Sequence, residues 1–229
     1  SSAGLSAQHA TQGNDAEWGF RRARVMVSVR GGALVHNARD GVFDLWTSDL
    51  TLKSSDFVSQ VAGFDLMVNV VGPIDLFVGG DWSVVDLQSR SSRGITEATA
   101  QQTRIESFPA LYAGLHARIY DPGRSADAWS VGVQAGAGVF RYRIEQSGVF
   151  TDFDEPLLQV EGQYVSTDEA PVAVAGLSID RRLTSSFALL VDARYRYAVA
   201  DARGDFADFD EVDLSGFQLS AGLRVVFGG

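Results

Sequence analysis

Apolar and polar residues alternate with a period of two along eight segments of the chain. In 129–142, for example, Trp129 and Val131 share one parity, whereas Gly132 and Gln134 occupy the other. Successive side chains of a strand point to opposite faces, so the alternation predicts strands with one apolar and one polar face. The segments that follow this pattern are 22–36, 58–70, 74–84, 110–120, 129–142, 172–180, 187–197 and 217–227.

The connections between these segments differ in length in a regular way. Short connections, at 71–73, 121–128 and 181–186, alternate with long ones, at 37–56, 86–107, 145–170 and 200–213. Short turns at one end and long loops at the other are typical of outer-membrane barrels, whose turns are periplasmic and whose loops are external. The sequence therefore predicts an all-β fold, an eight-stranded antiparallel up-and-down transmembrane β-barrel over 20–229, preceded by a flexible or docked segment at 1–19.

Composition narrows the classes of protein that this chain can represent. Hydrophobic residues make up 45% of it, but no run of about 18 apolar residues is present, so no helical membrane span is expected. The net charge of −10 argues against a nucleic-acid partner, because phosphate binding needs a clustered basic face. Cysteine is absent, which excludes disulfides and thiolate metal sites.

A water-soluble carrier of the lipocalin type would show the same alternation with the apolar parity turned inward. Its outer face would then carry lysine, glutamate and threonine. The polar parity instead consists mainly of Gly, Ser, Asp, Arg, Gln and Asn, and Lys53 is the only lysine of the chain. These residues suit a crowded polar lumen, which favours the membrane barrel.

The last segment, Gly216-Phe217-Gln218-Leu219-Ser220-Ala221-Gly222-Leu223-Arg224-Val225-Val226-Phe227, is similar to the closing strand that barrel-assembly machinery recognises by a terminal aromatic residue. Over 20–229 the chain resembles the eight-stranded outer-membrane barrels typified by the OmpA membrane domain, OmpX, and the opacity and OmpW-like proteins. It departs from them in Gly228 and Gly229 after the aromatic residue. The resemblance implies the outer membrane of a Gram-negative bacterium, and we expect export with a cleaved signal peptide.

The inward parity of the predicted strands carries charges of both signs. In a lumen shielded from water these charges are expected to pair into a network that fills the barrel, Arg194 and Arg196 meeting Asp65 and Asp81. A narrow path for ions or small solutes is the alternative interpretation. The network residues are Arg24, Arg30, Asp65, Asp75, Asp81, Arg118, Asp192, Arg194, Arg196 and Arg224.

Catalytic motifs are not evident. His116 is expected in the lumen beside Arg118, with no serine or cysteine at hydrogen-bonding spacing in the local sequence. The His-x-Ser of lipid A deacylase barrels is not matched by His116-Ala117-Arg118. We therefore expect neither an enzyme nor a cofactor.

Two long loops contain a repeated acidic motif, Phe-x-Asp-Phe-Asp-Glu, at 150–155 and 206–211. Alternating carboxylates can hold Ca²⁺ or Mg²⁺, but neither copy has the spacing and turn glycine of a calcium loop. Solvated acidic loops are the favoured interpretation, and no metal is expected. The carboxylates of these two motifs that could act as ligands are Asp152, Asp154, Glu155, Asp208, Asp210 and Glu211.

These observations lead to a prediction of function. We expect a non-enzymatic integral outer-membrane protein whose long external loops bind at the cell surface, or serve a larger envelope assembly. The expected partners are outer-membrane lipid, lipopolysaccharide and other envelope proteins. The alternatives are the narrow pore and, third, the soluble lipocalin-like carrier.

Overall fold

Eight antiparallel strands close into a ring, as the alternation predicts. The computed structural model describes residues 25–38, 41–90, 100–122, 128–151, 159–209 and 211–227. The strands are β1 (Val25–His36), β2 (Val58–Val71), β3 (Ile74–Arg90), β4 (Ala100–Tyr120), β5 (Trp129–Thr151), β6 (Gln159–Arg182), β7 (Phe187–Tyr197), β8 (Val199–Asp201), β9 (Glu211–Asp213) and β10 (Gly216–Phe227). Strands β1 to β7 pair in chain order and β10 closes the ring between β7 and β1, whereas β8 and β9 form a separate hairpin.

The apolar face of the barrel points outward and the polar face lines the lumen. Along β10, Leu219 and Leu223 have exposed fractions of 54% and 46%, whereas Gln218 and Arg224 are buried. A water-soluble barrel would have the reverse arrangement, so the lipocalin-like alternative is wrong. The outward face includes Val29, Val35, Phe64, Leu66, Val68, Leu76, Val78, Leu111, Leu115, Val139, Leu177, Ile179, Leu189 and Val191.

Exposed aromatic side chains border this apolar band at both ends. Trp82, Phe108, Tyr195, Tyr197 and Phe217 lie toward the long loops, and Tyr120, Trp129, Phe187 and Phe227 lie toward the short turns. Amphipathic rings favour the two membrane interfaces. A closed ring also satisfies its backbone hydrogen bonds internally, as hydrocarbon requires. The fold is thus that of a transmembrane β-barrel of the outer-membrane type. No helix among the described residues is long and apolar enough to span a bilayer.

Two segments expected to be loops are largely strand. The expectation for 86–107 and 145–170 is wrong, because β3 pairs with β4, and β5 with β6, along most of these segments. Outward positions there, such as Asp86, Arg104 and Glu145, are polar because they lie beyond the apolar band. Backbone pairing does not need lipid, so the strands continue there, with apolar side chains such as Ile105 and Ile144 now turned inward.

The long-loop end of the barrel is closed by packed aromatic side chains. Helix α1 (Val42–Asp49) buries Trp46, whose ring stacks on Phe57 at a centroid distance of 5.9 Å. Phe206, from the loop between β8 and β9, meets Trp46 edge-on at 6.3 Å. Nε1 of Trp46 also donates a hydrogen bond of 3.1 Å to Oε1 of Gln146 on β5. These contacts hold the described parts of the first and last long loops over the mouth.

Close approach between neighbouring strands leads to a first prediction. A Cβ atom at Gly222 would lie 2.0 Å from the carbonyl oxygen of Val29. We expect Gly222→Ala to lower the free energy of unfolding by about 1–3 kcal/mol, because the paired strands must move apart. Gly31→Ala is the matched control, since its Cβ would meet only the Val61 carbonyl oxygen, at 3.7 Å. Urea unfolding in micelles measures both, and equal midpoints for the two variants would contradict the prediction.

Candidate functional site

Charged side chains from many strands fill the lumen. Four arginines and four aspartates are buried among the described residues, so the charges of this set balance: Arg30, Arg194, Arg196, Arg224, Asp65, Asp75, Asp81 and Asp192. Inward parity alone places them here, because residues two apart on a strand share a face. The barrel wall excludes bulk water, and buried charges of this kind are stable only when paired.

The centre of the network is Asp65 on β2. Its Oδ2 accepts hydrogen bonds from Nη1 of Arg30 and, at 2.7 Å, from Nη2 of Arg194. Asp81 accepts from Nη2 of Arg30 at 2.5 Å and from the Tyr112 hydroxyl at 2.8 Å. That hydroxyl in turn accepts from both arginines, at 2.5 and 2.7 Å. Two guanidinium groups and two carboxylates are thus connected through one phenol.

Asp192 extends the network toward β5 and β10. It accepts hydrogen bonds of 2.7 Å from Nε of Arg194 and from Nε2 of Gln134, and one of 3.2 Å from Oγ of Ser220. The structure therefore pairs Arg194 with Asp65 and Asp192, and it pairs Asp81 with Arg30 instead. The expected pairing of Arg194 with Asp65 is therefore present, whereas the other expected carboxylate, Asp81, has a different arginine as its partner.

Glycines on β2 and β3 provide the space for these groups. A Cβ at Gly63 would lie 2.1 Å from Oδ1 of Asp81, and one at Gly79 would lie 2.3 Å from Oδ1 of Asp65. Larger residues at these positions would displace the carboxylates from their guanidinium partners. The glycines of the inward parity are therefore part of the site.

Arg196 differs from the other buried arginines. Its Nη2 donates to the carbonyl oxygen of Leu214 at 3.2 Å, and its Cζ lies 6.0 Å from the ring centroid of Phe140. Within the described part of the chain, its Nε and Nη1 have no hydrogen-bond partner. The expected pairing of Arg196 with Asp65 or Asp81 is therefore absent from these residues.

A second polar cluster lies nearer the short turns. Asp75 on β3 accepts hydrogen bonds from Nδ2 of Asn69 at 2.8 Å and from Nη2 of Arg118 at 3.1 Å. Nδ1 of His116 lies 3.1 Å from the other carboxylate oxygen of Asp75, and Nε2 of His116 lies 3.1 Å from Oγ of Ser178 on β6. The local sequence around His116 offers no hydroxyl partner, and the structure supplies one from β6.

The same region contains an ion pair that the sequence did not indicate. Nη1 of Arg224 on β10 donates to Oδ2 of Asp180 on β6 at 2.5 Å. Asp180, Ser178, Gln134 and Tyr112 all lie on inward parities, which was the available signal for them. Which of these side chains meet could not be predicted, because their partners lie on different strands.

The remaining predicted site residues lie either outside the described residues or on the exposed surface. Arg24, Asp152, Asp154, Glu155 and Asp210 lie outside the described residues, as does the segment 1–19. Asp208 and Glu211 are exposed. Within the described ranges, no group of three or more His, Asp or Glu side chains is arranged to hold a metal ion.

The outward face of the long strands carries alternating charges beyond the aromatic border. Nη2 of Arg104 lies 3.5 Å from Oε2 of Glu106, and Nη2 of Arg143 lies 2.9 Å from Oε2 of Glu145. Nε1 of Trp82, at the border itself, donates to Oε1 of Glu106 at 3.1 Å. A surface depression of about 380 Å³ lies among these side chains. We call residues 102–106 of β4 and 143–147 of β5 the charged outer face.

Comparisons with known proteins were made by sequence and by structure. No protein-family model matches the sequence, and no curated protein matches it. Among solved structures, the chain is similar to Ail, the attachment invasion locus protein of Yersinia pestis, with 15% identity, a TM-score of 0.39, and coverage of 88% of this chain and 96% of that chain.

Two further structures are similar to the chain. Neisserial surface protein A is 12% identical, with a TM-score of 0.45 and coverage of 90% of this chain and 98% of that chain. The N-terminal β-barrel domain of Pseudomonas aeruginosa OprF is 10% identical, with a TM-score of 0.35 and coverage of 88% and 97%. The assignment of the fold rests on the strand pairing and the outward apolar band described above.

Proposed function

We propose that this chain is an integral protein of the bacterial outer membrane that binds lipopolysaccharide through its charged outer face. The observation that carries the proposal is the length of the strands that form and adjoin this face. About 9–11 tilted residues cross the hydrocarbon layer, whereas β4, β5 and β6 contain 21, 23 and 24 residues. The excess length presents an ordered polar sheet at the level of the lipid headgroups.

The chemistry of this face suits phosphorylated headgroups and their counterions. Arg104 and Arg143 have exposed side-chain fractions of 46% and 52%, so both can reach a phosphate in the adjacent leaflet. Guanidinium groups bind phosphate oxygens in a bidentate manner. The neighbouring carboxylates of Glu106 and Glu145 are hard oxygen ligands of the kind that divalent cations take. Alternating charges therefore complement phosphates that are bridged by divalent cations.

The binding proposal predicts a thermal shift. Purified lipopolysaccharide with Mg²⁺ should raise the Tm of the micellar protein, because a ligand of the folded state stabilises it. The double variant Arg104→Gln/Arg143→Gln should lose more than half of that shift. Arg90→Gln is the matched control, because Arg90 is exposed at the far end of β3. Equal shifts in the wild type, the double variant and the control would contradict binding at this face.

The packed lumen favours this binding role over the pore. Arg30, Asp65 and Arg194 block the middle of the barrel, and the aromatic cluster around Trp46 covers its outer mouth. We therefore expect no steady conductance after reconstitution in a planar bilayer, with a bilayer exposed to the same detergent as the control. A steady current that depends on the protein would favour the narrow pore instead.

A further inference from the structure

Three lumen residues from three different strands form one hydrogen-bonded chain. Asp75 on β3 contacts Nδ1 of His116 on β4 at 3.1 Å, and Nε2 of the same ring contacts Oγ of Ser178 on β6 at 3.1 Å. All three side chains are buried, with exposed fractions of 1% or less. The order of groups is carboxylate, imidazole and hydroxyl, which is the arrangement that activates a serine as a nucleophile.

The partners of Asp75 determine which nitrogen of the neutral His116 ring carries the proton. A carboxylate only accepts hydrogen bonds, and Asp75 is held by donors from Asn69 and Arg118 as well as by His116. Nδ1 of His116 must then carry the proton that points to Asp75. In the neutral ring Nε2 is consequently an acceptor, and Ser178 donates its hydroxyl proton to it. His116 is thus oriented as a general base for Ser178.

Gly132 on β5 leaves room beside the histidine and the serine. A Cβ there would lie 2.1 Å from Nε2 of His116 and 3.0 Å from Oγ of Ser178. Any side chain at this position would therefore press on the two atoms between which a proton would move. Glycine at this position therefore allows the hydrogen bond between His116 and Ser178 to form.

A cavity lies at the periplasmic mouth, displaced from the Asp75–His116–Ser178 site by two residues along the strands. It has a volume of about 50 Å³ and is lined by Arg118, Ser130, Asp180 and Arg224, among others. The first three are each two residues from a member of the site, namely His116, Gly132 and Ser178, on the same strand faces. Nε and Nη2 of Arg224 have no hydrogen-bond acceptor within the described ranges. These buried donors are suited to the oxygen of a small carbonyl compound.

From these contacts we propose that Ser178 is an acyl-accepting nucleophile for small esters that enter from the periplasmic mouth. Oγ of Ser178 attacks the carbonyl carbon while its proton passes to Nε2 of His116. The carbon–oxygen bond to the leaving group then breaks, and the departing alkoxide takes that proton as an alcohol. The product is an acyl-serine, which water hydrolyses by the same proton transfers to release the acid.

This reaction is independent of lipopolysaccharide binding, which concerns the opposite end of the barrel. The test uses the folded full chain in micelles with p-nitrophenyl acetate as the probe. We expect a burst of about one nitrophenolate per chain and an acetyl group on the peptide that contains Ser178. Ser178→Ala should abolish both, and His116→Gln should slow the burst by about 10²–10⁴-fold. Ser220→Ala is the matched control, because Ser220 is a buried lumen serine bonded to Asp192 instead of a histidine.

A second variant keeps the proposal testable if Ser178→Ala does not fold. The chain contains no cysteine, so Ser178→Cys and Ser220→Cys each introduce a single thiol. An ordinary cysteine is only a few per cent thiolate at pH 7, and a paired histidine raises that fraction. Iodoacetamide should therefore alkylate Ser178→Cys about tenfold faster or more than Ser220→Cys. Equal alkylation rates, or wild-type protein that gains no acetyl group at Ser178, would overturn the proposal.

Discussion

Replacing Asp65 with leucine should lower the free energy of unfolding by about 3–5 kcal/mol, because it removes the carboxylate that two buried guanidinium groups share. Arg30 and Arg194 both donate to the same oxygen of Asp65, and all three side chains are almost fully shielded from solvent. The barrel wall prevents water from replacing the lost acceptor. Urea unfolding in detergent micelles, followed by tryptophan fluorescence, measures the loss.

The control for this change is an aspartate outside the lumen. Asp86 is exposed on β3 and accepts hydrogen bonds only from Nε2 of Gln102, at 2.8 and 2.9 Å, among the described residues. Asp86→Leu should change stability by no more than about 0.5 kcal/mol, as is usual for surface positions. If both variants unfolded at the wild-type urea concentration, the lumen network would not stabilise the barrel.

Placing a charge on the outward face should have the next largest effect. Leu223 on β10 points outward and lies between Val29 of β1 and Leu189 of β7 in the register. Leu223→Arg should cost about 2–4 kcal/mol if its side chain is near the bilayer midplane, because a guanidinium group there loses its hydration. The yield of folded protein in lipid vesicles should fall accordingly.

Two matched variants separate the effect of lipid from a general effect of substitution. Leu223→Val keeps the position apolar and should fold as the wild type does. Thr167→Arg places the same charge on an exposed position of β6 beyond the apolar band, where it meets water and should be tolerated. Equal folding yields for Leu223→Arg and Thr167→Arg would show that the outward apolar band does not contact hydrocarbon.

The two proposed activities use different parts of one barrel. The charged outer face lies on the parts of β4 and β5 toward the long loops, whereas Ser178 lies in the lumen nearer the short turns. Between them lies the buried network around Asp65 and Arg194. Because this network lies between the two proposed sites, a variant at one site is not expected to alter the other.

The sequence by itself was sufficient for the fold class and for the direction of most side chains. Period-two alternation assigns a face to each residue of a strand, so Leu223 was expected outside and Arg194 inside, and the structure agrees. The pattern failed in the external parts of β3 to β6. There the alternation continues with its faces reversed: Ile105 and Ile144 point inward and are buried, whereas outward positions such as Arg104 are polar.

Only the tertiary structure decided which lumen residues meet. Parity gives the face of a residue but not its depth, because depth depends on the stagger between paired strands around the closed ring. The register therefore brings Asp81 to Arg30, a pairing that parity alone could not indicate. The same stagger brings Ser178 to His116, from which it is separated by 62 positions in the chain. Local spacing could not indicate that contact, since it arises from the closure of the barrel.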